Sequence, residues 1–377
     1  MTKHLDIDTK AMRAKILDLA IQGKLTDQRE EDGNARDLLR EIQAEKEKLI
    51  KEKKIKKGKP LPEITEEEKP FEIPDSWEWG RLGDIVSKAI KRGKSPKYST
   101  TGDVLVFAQK CNTKPGRINL ELAKKLDLST LKKYSEEEFM LSGDIVINST
   151  GNGTMGRVGF FWDKDNPYNL KIVPDSHVTT IRVLHDLIDS QYIFYFLKKL
   201  QPELESSGDG STNQKELKAT IIASICIPLP PLAEQKRIAD KVSALFARLD
   251  AIDKAYEEYQ GLQQAMKSKL LDLAIQGKLT DQRAEDGNAR DLLKAIQTEK
   301  EKLIKEKKIK KEKPLPEIEA DEIPFEIPKN WMWARWGTLS ISIKYGYNTS
   351  AQKDGKIKMV NCKLNLNNHN QETHSLA

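Results

Sequence analysis

Downstream of a proline-rich stretch, IPLPP at 227–231, apolar residues fall at Ile238, Val242, Leu245, Leu249, Ile252, Tyr256, Tyr259, Met266, Leu270 and Leu273. The steps alternate four and three, with polar Gln263 at the one seam position missing from the series. That 3.5-residue spacing is the seam of a coiled coil. Proline at the entrance suits a helix start, and Gly277 suits its end. The spacing predicts one helix over 232–276, roughly 65 Å long at about 1.5 Å per residue. Upstream the pattern is different. Short β-like runs, DVLVFA (103–108), DIVINS (144–149), RVGFFW (157–162) and HVTTIRVL (177–184), alternate with Gly, Asn and Pro clusters, and one helical run, SQYIFYFLKKLQ, begins at Ser190. These elements predict an α+β domain over 77–231 with a mixed or antiparallel β core, joined to the long coiled-coil-forming helix.

A second pattern is repetition. AMRAKILDLAIQGKLTDQREEDGNARDLL, from Ala11, returns as AMKSKLLDLAIQGKLTDQRAEDGNARDLL from Ala265, an offset of 254 residues. Between Ala11 and Ile64, 46 of 54 aligned positions are identical, and PFEIPDSWEWGRLG returns more loosely as PFEIPKNWMWARWG. Solenoid repeats have periods of roughly 20 to 50 residues, so a whole domain with its connector is duplicated. Four parts are expected: a helical segment at 1–76, the α+β domain at 77–231, the long helix with the second helical segment at 232–327, and the opening of a second domain at 328–377. That opening is expected to be cut short. After Val360 the tail loses its apolar alternation and turns Asn-rich, as a frameshift, truncation or recombination junction would leave it, and the fragment is too small to bury a core of its own.

Charge narrows the function. Sixty-four Lys and Arg stand against 58 Asp and Glu, a net charge of +6, so an anionic partner must be met by local patches. One candidate is the Lys- and Glu-rich segment 38–60, with a sparse helical stripe at Leu38, Leu39, Ile42, Leu49 and Ile50. A solvated helix held by Glu-to-Lys pairs four apart is the plain reading, and phosphate contact the other. Three dispersed cysteines without CxxC spacing encode neither a disulfide framework nor a zinc site, so no metal is expected. The N-terminus lacks a signal-peptide core and no apolar run is long enough to span a bilayer, which predicts a soluble cytoplasmic protein without a membrane partner.

No catalytic chemistry is visible. GNGTMG at 151–156 matches a dinucleotide fingerprint and follows a strand, but the sequence after it is strand-like, whereas a pyrophosphate needs a helix N-terminus there. It reads as a glycine-rich hairpin loop. DNPY at 165–168 lacks one proline of the tetrapeptide with which amino-methyltransferases grip a base, and reads as a surface turn. A Walker loop, a nuclease constellation and a G-x-S-x-G elbow are all missing. Basic and polar residues do gather in four loops, KRGKSPKY (91–98), QKCNTKPGR (109–117), NSTGNGTMGR (148–157) and GDGSTNQKEL (208–217). Each alone is an ordinary loop. Together they combine cations for phosphate with amides and hydroxyls for base edges.

At GSTNQKELKATIIASICIPLPPLAEQKRIADKVSALFARLDAI, 210–252, the chain resembles the DNA-specificity subunit of type I restriction-modification systems. WEWGRLGDI at 77–85, LSGDIVIN at 141–148 and AIQGKL at 20–25 and 274–279 are also family-like. The resemblance implies sequence-specific binding of double-stranded DNA without catalysis. Each recognition domain would read half of a bipartite site, and the helices would set the gap. Methyltransferase subunits and restriction-translocase subunits would be the partners, with S-adenosylmethionine, ATP and Mg bound by those partners and no cofactor by this chain. Carried over by loop, the DNA contacts are expected at Lys91, Arg92, Lys94, Ser95, Lys97, Asn112, Lys114, Arg117, Asn152, Thr154, Arg157, Thr212, Asn213, Gln214 and Lys215. Two chains could also pair through the 238–273 seam to read a palindromic site. The alternatives are a truncated, inactive specificity subunit, a coiled-coil scaffold with incidental basic loops, and a stand-alone nuclease or methyltransferase.

Overall fold

The structure is a computed structural model and describes residues 7–343 apart from 56, 59, 115–116, 208–215 and 312. It divides into two compact units, Met1–Glu257 and Glu258–Ala377.

The first unit opens with two helices, α1 (Thr9–Ile21) and α2 (Ala35–Lys51). Each has a side-chain cap, with Asp8 accepting from the Ala11 amide and Asn34 from the Arg36 amide, which satisfies donors that a first turn otherwise leaves bare. Ten short strands follow: β1 (Glu78–Arg81), β2 (Lys91–Arg92), β3 (Tyr98–Ser99), β4 (Val104–Phe107), β5 (Lys124–Leu126), β6 (Ile145–Asn148), β7 (Val158–Phe160), β8 (Lys171–Pro174), β9 (Val178–Ile181) and β10 (Cys226–Leu229). Between β9 and β10 lie α3 (Ser190–Ser206) and the short α4 (Ala219–Ala223). One sheet runs β2-β9-β6-β7 and is antiparallel throughout. A second runs β3-β5-β4-β8, in which the β4–β8 pair is parallel. A two-stranded ribbon, β1 with β10, closes the chain of the domain on itself. The predicted α+β class with a mixed β core is what forms. β4, β6, β7 and β9 fall inside the four β-like runs, and all four strands are buried along their whole length.

β10 leads through Pro230 and Pro231 into α5 (Leu232–Ile275), a single helix of 44 residues. Its opening turns lie in the main core. Ile238, Ala239 and Val242 are buried together with Leu17, Ile21 and Ile42 of the helical segment and with Tyr192, Phe196 and Leu197 of α3. At the level of Phe246 to Asp253, α5 meets α1. Arg13 reaches Asp250 and Asp253 at 2.8 Å each and stacks over the Phe246 ring at 5.2 Å, and Thr9 donates to Asp253 at 2.6 Å.

The expected seam is therefore divided. Ile238, Val242 and Leu249 are buried by their own chain and Leu245 is half-buried, whereas Ile252, Tyr256, Tyr259, Met266 and Leu270 are exposed and Leu273 is half-buried. A pairing of two chains along the entire 238–273 stripe is excluded in this conformation, because α1 and α3 already cover its first half.

The second unit repeats the local architecture of the helical segment. Gly23 and Gly277 both take positive φ, 68° and 65°, to end a helix, and each lies against a proline and a tryptophan, Pro74 with Trp77 and Pro328 with Trp331. Arg81 grips Glu68 with both arms, and Arg335 grips Glu322 in the same way. Lys46 donates to the carbonyls of Gly83 and Asp84, as Lys300 does to those of Gly337 and Thr338. The repeat helix α6 (Ala289–Lys305) is capped by Asn288 as α2 is by Asn34, and α7 (Trp336–Leu339) follows it. Of the expected opening of a second domain at 328–377, residues 328–343 hold α7, and the remainder lies outside the described residues. Among the described residues, no helix is long and apolar enough to cross a membrane.

Candidate nucleic-acid interface

Strand ends of the β2-β9-β6-β7 sheet bring separate loops to one edge. Gly93 donates to the Val178 carbonyl at 3.0 Å, just past β2, and Ser149, just past β6, donates to the His177 carbonyl at 2.8 Å. Thr150 meets Nδ1 of His177 at 2.6 Å and forms a bridge with Glu216, while Glu216 pairs with Arg92 at 3.0 Å. The 109–117 loop joins from the other side. Asn148 Nδ2 donates to the Gln109 carbonyl at 3.1 Å, and Thr154 Oγ1 donates to Gln109 Oε1 at 3.2 Å. Segments 91–95, 109–112, 148–157, 175–177 and 216 thus form one contiguous rim.

The glycine-rich loop is the hairpin between β6 and β7. The residues after it enter a strand and not a helix, so no pyrophosphate cradle exists there. DNPY places Pro167 and Tyr168 in a turn with Tyr168 exposed.

The candidate contacts do not all face outward. Lys91, Ser95, Lys97, Lys114, Arg117 and Asn152 are exposed, and Arg92, Lys94 and Thr154 are half-buried. Asn112 and Arg157 are inside the domain. Asn112 is fully buried and donates from Nδ2 to Asn148 Oδ1 at 3.2 Å and to the Arg157 carbonyl at 2.9 Å. Arg157 returns a bond to the Asn112 carbonyl at 2.8 Å and another to the Gly153 carbonyl at 3.3 Å. These two side chains hold the 109–117 and 148–157 loops together and do not offer themselves to a base. Thr212, Asn213, Gln214 and Lys215 lie outside the described residues.

Electrostatics around β2 are concentrated. Lys88, Lys91, Arg92 and Lys94 line one cleft with Tyr134, Glu138 and Thr180. Glu138 sits 2.7 Å from Lys94 and 3.3 Å from Lys91. Burial works to raise its carboxyl, but the Lys94 ammonium, the Ser135 amide and Lys91 outweigh that and hold it at about 2. Lys88 is pushed down to about 8, chiefly by burial, with the Asp144 charge opposing. Burial likewise raises the Asp175 carboxyl, against the pull of the His177 amide. The outer cations are held by carboxylates: Lys97 by Asp127 at 2.9 Å and Arg117 by Asp250 of α5 at 3.3 Å. Exposed pairs of this kind contribute about 0–1 kcal/mol, so an incoming phosphate can exchange for the carboxylate at little cost.

Gln109, Thr150 and His177 belong to the rim and are not among the expected contacts, although Gln109 and Thr150 lie in two of the four basic and polar loops. Thr150 and His177 flank buried strands, and their pairing across the rim is set by the β6–β9 register, which no local pattern discloses. Among the described residues, no group of His, Cys, Asp and Glu is arranged to hold a metal ion.

Residues 74–259 match the family described as "Type I restriction modification DNA specificity domain". Over those residues the chain is similar to that family. The match runs from the entry into β1 through the ten strands and well into α5, so it covers the rim and the helix that leads away from it. The type I restriction enzyme EcoAI specificity subunit of Escherichia coli is 33% identical over 381 residues, covering 88% of this chain and 62% of the relative. The EcoEI specificity subunit of Escherichia coli is 30% identical over 405 residues, covering 92% and 64%. The chain therefore spans a little under two thirds of the length of these specificity subunits. Among solved structures, the crystal structure of the HsdS subunit from Thermoanaerobacter tengcongensis aligns over 72% of this chain and 59% of that one, with a TM-score of 0.40 and 20% identity.

Proposed function

We propose that this chain binds double-stranded DNA sequence-specifically as a specificity subunit, and that the 91–97, 109–117 and 148–157 loops make the contacts. The observation that carries the reading is the convergence of cations, amides and hydroxyls from those loops on one rim of a rigid β domain. Lysines and arginines at the edge of the rim position the duplex through phosphates, and Asn152, Thr154 and Ser95 have the donor and acceptor chemistry that base edges require. The same domain continues into α5, a single helix of 44 residues, a form that suits the spacing of one reader from another along the duplex.

The chain supplies the address and no chemistry. Methyltransferase subunits and restriction-translocase subunits act on the DNA, and S-adenosylmethionine, ATP and Mg belong to them. The exposed stretch of α5 beyond Ile252 is where two chains, or a chain and such a subunit, would meet. The assembly works in the cytoplasm, where its DNA is. A salt series on a duplex carrying the preferred sequence tests the reading. Affinity should fall steeply as salt rises, with a logarithmic slope of roughly 0.9 per phosphate contact, and a scrambled duplex should bind far more weakly. Binding that ignores both sequence and salt would overturn it.

A further inference from the structure

Two nearly identical segments occupy different environments in this chain. In the first copy, the opening turn of α5 docks on the segment through two charged side chains. Glu234 is fully buried. One of its oxygens accepts from Gln28 Nε2 at 2.8 Å and Thr26 Oγ1 at 3.1 Å, and the other accepts from Trp77 Nε1 at 2.9 Å. Three residues on, Arg237 holds Asp32 with both arms, at 2.7 and 2.5 Å, and donates to the Asp27 carbonyl at 3.1 Å.

The repeat offset carries every one of these receptor residues into the second copy unchanged: Thr280, Asp281, Gln282, Asp286 and Trp331. There they line one cleft of about 400 Å³. The cleft is already shaped. Gln282 donates to the Gly277 carbonyl as Gln28 does to Gly23, and the Ala289 amide donates to Asn330 as Ala35 does to Ser76. What differs is cover. Trp77 is 2% exposed and Trp331 40%, Leu17 is 5% and Leu271 68%, Leu38 is 8% and Leu292 62%. The same sequence that is core in one copy is surface in the other.

We propose that the cleft lined by Thr280, Gln282, Asp286 and Trp331 is a docking site for the head of a second α5-like helix. Its ligand has a proline-rich lead, a glutamate at the third helical residue and an arginine three residues later. The glutamate takes the Gln282, Thr280 and Trp331 donors, the arginine takes Asp286, and the apolar stripe behind them covers Leu271 and Leu292. The chain contains this head once, at 229–239, and it is already seated on the first copy. A second copy of the chain adds two receptors and only one head, so exchange between copies fills one site by emptying another. The occupant is consequently a polypeptide segment outside residues 1–377 that presents an unclaimed head of this chemistry. The inference stands on the repeat and is independent of whether the loops read DNA.

The probe is a fluorescent synthetic peptide of residues 227–254, titrated into the full-length chain and followed by anisotropy. Saturable one-to-one binding is expected. It should weaken at least tenfold when the peptide carries Glu234→Gln or Arg237→Ala, and also when the chain carries Gln282→Ala with Asp286→Ala, both on the exposed copy where folding is not at stake. An unchanged unfolding midpoint of that double variant checks this. No binding at millimolar peptide, or equal binding to the double variant, would overturn the proposal.

Discussion

Replacing Glu234 by alanine removes the carboxylate that ties the first helical segment to α5. Its three donors respond differently. Thr26 is half-buried and can turn to solvent, and Gln28 keeps the Gly23 carbonyl at 2.8 Å. Trp77 has no such outlet, because its ring is 2% exposed and its indole N–H points at the removed oxygen. Leaving that donor buried and unpaired costs about 1–3 kcal/mol, and losing charge-assisted bonds to a buried carboxylate brings the sum to roughly 3–5 kcal/mol. Arg237 retains Asp32, so the helix head stays attached and the chain still folds. Urea unfolding of the variant and the parent, followed by tryptophan fluorescence, measures the difference. Gln282→Ala, the counterpart of the Gln28 position in the exposed copy, should change stability by about 0.5 kcal/mol or less. A loss under about 1 kcal/mol for Glu234→Ala, or an equal loss for Gln282→Ala, would refute the contrast between the two copies.

Three further outcomes are expected. Asn152→Ala should lower affinity for the preferred duplex by about 1–3 kcal/mol at an unchanged Tm, while Asn112→Ala should lose about 1–3 kcal/mol of stability from its two buried bonds; calorimetry and gel shifts giving the reverse pattern would contradict the placement of both. Burial pushes Lys88 down to about 8 from an ordinary 10.5, so the fold should gain stability as pH rises from about 8 toward 10.5; unfolding midpoints across that range measure the gain, and the same rise in a Lys88→Met chain would contradict the assignment. Glu138, held at about 2 against an ordinary 4.5, stabilises the fold fully above pH 4.5 and loses that contribution as pH falls toward 2; the acid limb of the unfolding curve should flatten in Glu138→Gln, and an unchanged limb would count against the Lys94 pairing.

Much of the architecture was legible because it rests on periodicity. The long helix follows from its 3.5-residue seam, the buried strands from their β-branched runs, and the duplicated segment from identity alone. The seam's fate was not legible. The same stripe that suits a partner helix is taken at Ile238 and Val242 by α1 and α3 of the chain itself, and only tertiary structure decides between them. The site shows the same division. Composition located the loops, since Lys, Asn and Gly cluster there, but it could not tell Asn152, at the tip of a hairpin, from Asn112, whose amide is spent on Asn148 and the Arg157 carbonyl. Polar residues in loops are read alike until the contacts that bury some of them are known. His177 was hidden for the opposite reason, as a single polar residue beside a strand whose register brings it to Thr150.

Selection from a pool of randomised duplexes by the full-length chain tests the central claim most directly. The account predicts enrichment of a short, defined sequence whose selection weakens with Asn152→Ala and disappears at high salt. Recovery of an unenriched pool, or of the same sequence with undiminished enrichment by a chain carrying Asn152→Ala with Thr154→Ala, would contradict it.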